Sequence, residues 1–141
     1  MRRRRWAGWA LGLAIVLAAS SVGADEARER RREMMFGNYE VLMTVMFQLS
    51  RRQYAEAAKA VRAIETHGEA LSRPDGQPTL FHAYARSLQA HARNLRTLAE
   101  VLGAAGRPDP ELEFLHDALA ADFGQIAATC VACHGHFLPE K

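Results

Sequence analysis

Cys130-Val131-Ala132-Cys133-His134 closes a long striped stretch that begins near Leu112. Leu112, Leu115, Leu119, Ile126, Cys130, Cys133 and Phe137 recur at steps of three, four and seven, the period of one helix face. The stretch therefore reads as a helix with both cysteines on its buried line. Spacing i, i+3 and i+4 puts two thiols and an imidazole on one face. Asp109-Pro110-Glu111 predicts the start of this helix D, as a cap, a proline at the first helical position and an acid. Pro139 predicts its end.

Three more helices are legible upstream. Helix A is predicted from about Glu26 to Leu49, capped by Asp25, with Met35, Tyr39, Leu42, Met46 and Leu49 as its stripe. Met34, Val41 and Val45 widen that face, and Arg28, Arg30, Arg31 and Arg32 read as a solvated end. Ser50-Arg51-Arg52-Gln53 has the pattern of a capping box, so helix B is predicted to start there. It carries Tyr54, Ala57, Ala58, Val61, Ile64 and Leu71, with Gly68 as a point of fraying. Ser72 to Pro78 holds two prolines and Asp75-Gly76, a loop. Helix C is predicted after Thr79 as N-cap, with the stripe Tyr84, Leu88, His91, Leu95, Leu98 and Leu102. Gly103 and Gly106 are its expected terminators, with Pro108 beyond them. No alternating strand pattern persists. The fold class is therefore all-α, an antiparallel four-helix bundle, whose interior is a usual place for a cofactor.

The N-terminus reads as an export signal. Arg2 to Arg5 are a positive segment, Trp6 to Ala19 an apolar run short for a membrane span, and Val22-Gly23-Ala24 a small-residue cleavage site. Residues 1–24 are thus expected to be a cleaved signal peptide, and residues 25–141 a single periplasmic domain. The whole chain of 141 residues has a net charge of +2, but four arginines lie in the signal. The remainder keeps fourteen basic against sixteen acidic residues, a net −2, so nothing argues for nucleic acid.

Two cysteines three apart staple almost nothing, so a disulfide framework is excluded. A zinc site needs further ligands at ligand spacing, and a redox dithiol prefers a strand–helix context. C-x-x-C-H on an exported helix instead matches the attachment signature of haem c. In that reading Cys130 and Cys133 form thioethers with one covalent haem, and His134 is the proximal iron ligand.

Here the chain resembles a known family. An export signal, a helical domain of this size and one C-x-x-C-H in the last helix are similar to the class II c-type cytochromes, cytochrome c prime and its low-spin relatives. Arg31, Met35, Asn38 and Leu42 resemble the R-x-x-x-M-x-x-N-x-x-x-L pattern of the low-spin members. The resemblance implies Met35 as the distal iron ligand, with Met34 beside it as a substitute. It implies Arg31 near a haem propionate, Asn38 near the haem edge, and a homodimer through helices A and B. The chain departs from the family in having Val131-Ala132 between the cysteines and Leu138 where a basic residue is common.

His91 reads as a packed histidine with a polar partner, and as an alternative sixth ligand. His67, His82 and His116 read as surface residues, and His136 points away from the face of His134. No hydrolytic or group-transfer site is legible. The expectation is a periplasmic one-electron carrier that serves redox partner proteins and is not an enzyme. The alternative is a five-coordinate haem protein of the cytochrome c prime type, binding nitric oxide or carbon monoxide.

Overall fold

The computed structural model describes residues 26, 29–30, 32–74, 76–106 and 110–137. The expected signal peptide, the Asp25 and Asp109 caps, Arg28, Arg31, Leu138 and Pro139 lie outside them. The chain forms two compact units, Met1–Phe36 and Gly37–Lys141. In the first, every described residue is helical, and exposed pairs join Arg30 to Glu26 and Arg32 to Glu29 at 3.7 and 3.8 Å. Such pairs stabilise a helix only slightly.

The described residues contain four α-helices and no strand. They are α1 (32–50), α2 (Tyr54–Ser72), α3 (Thr79–Ala105) and α4 (Glu113–Phe137), with a 3₁₀ turn at Pro110–Leu112. Within the second unit, side-chain and backbone approaches set the directions. Ala55 meets Gly103 and Gly68 meets Gln89, so α2 and α3 run antiparallel. His91 meets Asp122 and Ser87 meets Thr129, so α3 and α4 do as well. Asn38 meets His67 across the α1–α2 hairpin. All four helices feed one core, from Val45 through Val61, Ile64, Leu88, Leu95 and Leu102 to Leu119 and Ile126. This all-α arrangement is compatible with the expected four-helix bundle.

The boundaries and stripes differ from expectation in ways that have local causes. Ser50 does not cap α2. It is the last residue of α1, and its hydroxyl donates back to the Phe47 carbonyl at 2.8 Å. Arg52 takes a left-handed conformation (φ 57°), while Arg52 N–H bonds to Leu49 O and Gln53 N–H to Gln48 O. That pair of bonds is a Schellman closure, so the chain must leave the helix before a new one can start. The N-cap of α2 is Gln53, with no side-chain cap bond. Thr79 is likewise the first residue of α3 and not its cap, because the Pro78 carbonyl takes the first N–H bonds, from Phe81 and His82.

Gly68 and Gly103 do not fray or end their helices. A Cβ on Gly68 would sit 2.8 Å from the Gln89 nitrogen, and one on Gly103 would sit 3.2 Å from the Ala55 nitrogen. At both glycines the backbones of α2 and α3 approach closely, and Gly106 (φ 68°) ends α3. The buried line of α3 is Phe81, Ala85, Leu88, Ala92, Leu95, Ala99 and Leu102; Tyr84, His91 and Leu98 only flank it. On α1, Asn38 and Val45 are buried, whereas Tyr39 and Met46 of the expected stripe are exposed.

Candidate functional site

α4 carries the motif on its last turns. Cys130 and Cys133 are both free and half-buried, and Cys130 packs against the core. Val131 between them is 73% exposed, so the helix turns the thiols inward and the valine out. Thr129, one residue earlier, is buried and shares a 3.4 Å hydrogen bond with Ser87 of α3. His134 is exposed at the next position along the helix.

Burial raises the pKa of the Cys130 thiol, and burial together with the neighbouring Cys130 raises that of Cys133. Both thiols are therefore held in the protonated form at neutral pH. Reactive redox cysteines need the opposite, a thiolate favoured by an electropositive setting.

The same end of the second unit is rich in partnered polar groups. Asn38, only 6% exposed, accepts a hydrogen bond from His67 Nδ1–H at 2.5 Å. Burial holds the His67 imidazole below its ordinary pKa. His82 Nδ1–H donates to the Leu71 carbonyl at 3.2 Å, joining α3 to α2. At the far end, Tyr54 and His116 Nδ1 lie 3.0 Å apart. These three histidines are half-buried ties between helices, a correction to their reading as surface residues. A free surface imidazole would have no interhelical acceptor within reach. His91 does have its polar partner, Asp122 at 2.8 Å.

Met34 and Met35 are half-buried within the first unit, and Arg31 lies outside the described residues. Among the described residues, no group of three or more His, Cys, Asp or Glu side chains could by itself hold a metal ion. A cleft of about 370 Å³ opens at the opposite end of the second unit, between Tyr54, Gly103, Gly106, Leu112 and His116, and no cysteine lines it. No described helix is long and apolar enough to cross a membrane.

Thr129 and Ser87 meet beside the motif without having stood out in the sequence, whereas Tyr84, a stripe residue there, contacts His136, and His67, a surface residue there, ties to Asn38. The available signal was position. Thr129 and His136 follow Asp122 at intervals of seven, on a face that meets Tyr84, Ser87 and His91 of α3.

Comparison with protein families, with curated proteins and with solved structures finds no match to this chain.

Proposed function

We propose that this protein is an exported one-electron carrier that holds one haem c through Cys130 and Cys133, with His134 as proximal ligand and Met35 as distal ligand. The observation that carries the reading is the pair of free, half-buried thiols on one face of α4, with an imidazole at the following residue. The donor set fits. A tetrapyrrole brings four nitrogens of its own and asks the chain only for covalent anchors and axial ligands, whereas a bare metal ion would need a larger protein cluster than any described here. When bound, the haem supplies the electron transfer. The chain's part is to anchor, to orient His134 and to keep water from the inward face.

Met35 enters on the family resemblance: a thioether is a soft, neutral ligand, and His/Met ligation raises a haem's reduction potential. Arg31 and Asn38 enter on the same ground, as a propionate contact and a haem-edge residue. The N-terminal charge and apolar pattern supports export to the periplasm, where redox partner proteins would meet the haem edge. No hydrolytic or group-transfer site is legible in the sequence, and the reading is of a non-enzyme. Tyr39, Met43, Met46 and Phe47 form an exposed apolar stripe on α1 that would serve the homodimer expected through the first two helices.

Visible spectroscopy of the purified protein tests this. Sharp c-type bands in the reduced form, unchanged by carbon monoxide, are expected. Absence of those bands would end the haem reading. A high-spin spectrum that shifts with carbon monoxide would remove Met35 as a ligand and favour the gas-binding alternative. With a low-spin wild type, Met35→Ala should become high-spin; an unchanged spectrum would move the role to Met34 or His91.

A further inference from the structure

The last turn of α4 is held by side chains beyond the motif itself. A helix end leaves its final carbonyls without intrahelical partners and frays unless something grips it. Here the grip comes from α3. The His136 ring stacks on Tyr84 with centroids 5.8 Å apart and planes at 27°. Phe137 stands edge-on to Phe81 at 5.5 Å and to Tyr84 at 6.4 Å. Phe81 is 4% exposed in the first turn of α3, so the clasp is anchored in the core. One helical turn along α3, Ser87 reaches Thr129. Cys133 and His134 lie between these two grips, and among the described residues His134 itself makes no such contact.

An axial ligand works through the direction of its imidazole, which surrounding groups normally fix. An exposed histidine on a fraying turn would sample many directions. We infer that Tyr84 is a positioning residue for His134: by holding His136 and Phe137 it fixes the turn from which the proximal imidazole projects. The inference rests on the haem reading above. Tyr84 acts through its neighbours and is not itself a ligand.

The test uses the haem-loaded chain with Tyr84→Ala, the conservative Tyr84→Phe, and His136→Ala, which removes an exposed ring and leaves the core intact should Tyr84→Ala fail to fold. Two quantities are read: backbone amide exchange at residues 133–137 against residues 116–126, and the reduction potential. Loss of the aromatic contacts should speed exchange in the last turn by about tenfold. The potential should move in the same variants, and Tyr84→Phe should match wild type in both. Wild-type exchange in Tyr84→Ala and His136→Ala overturns the inference, and so does faster exchange with an unmoved potential. A wild type without c-type bands overturns the haem reading and this inference with it; c-type bands with unmoved potentials overturn the inference alone.

Discussion

Two glycines in helix interiors make opposite predictions from the same chemistry. An alanine is favoured over glycine in a helix by about 1 kcal/mol. At Gly124 in α4, an added Cβ meets nothing within 4 Å, so Gly124→Ala should raise stability by about that amount. At Gly68 the added carbon falls 2.8 Å from the backbone nitrogen of Gln89, which cannot swing aside as a flexible side chain would. Overpacking of this kind costs about 1–3 kcal/mol and outweighs the helix preference. Gly68→Ala should therefore lower the urea midpoint and Gly124→Ala raise it. A stabilised Gly68→Ala would mean that α2 and α3 can separate locally at little cost. Gly68 looked in the sequence like a weak point of a helix, since glycine carries no mark that tells fraying from close approach. What distinguishes them is the facing residue, twenty-one positions away.

The existence and order of the helices were legible because apolar residues at steps of three and four leave a helix little alternative. Their ends were less so, because an end is decided by which backbone group takes which bond. Ser50 to Gln53 fits a capping box, yet its first two residues complete the end of α1 and its closing turn, with Arg52 left-handed at the C′ position. That conformation disfavours any residue with a Cβ and suits glycine. Arg52→Gly should therefore stabilise the fold by about 0.5–1 kcal/mol, after the greater freedom of glycine in the unfolded chain is counted. The urea midpoint should rise with an unchanged denaturant slope. A fall would show that the arginine side chain holds the turn more strongly than its backbone strains it. The stripes show another limit. α1 has large apolar side chains all round, so period alone could not choose between Asn38–Val45 and Tyr39–Met46 as the inward line. α3 hid its true line because Ala85, Ala92 and Ala99 alternate with leucines, and alanine at helical spacing reads equally well as surface.

Across the second unit, the motif end was legible at Cys130, Cys133 and His134, whose spacing is local to one helix. The groups that surround it come from other helices and depend on register: Asn38 on His67, Ser87 on Thr129, Tyr84 on His136. The first of these ties also gives the molecule a pH response. Burial depresses the folded-state pKa of His67 below its ordinary 6.5. Between that depressed value and 6.5, the unfolded chain binds more protons than the folded one, so stability falls as the pH falls through this window. A separate loss belongs to Glu65. Burial raises its pKa, but hydrogen bonds from Arg93 and Arg96 outweigh that and hold the carboxyl below its ordinary 4.5. Its contribution is present above 4.5 and disappears only as the pH falls through the lower folded value. Acid should thus weaken the fold in two steps, the first through an imidazole between helices and the second through a carboxylate between arginines. His67→Gln keeps an N–H donor for Asn38 without a titrating ring. Urea midpoints of wild type and His67→Gln at about pH 7.5 and about pH 5 separate the two steps, since histidine is the side chain that ordinarily changes charge in this range. The wild type should lose more stability than the variant between those conditions, while both should weaken alike below the carboxylate range. Equal losses in the first interval would overturn His67 as the source of the first step.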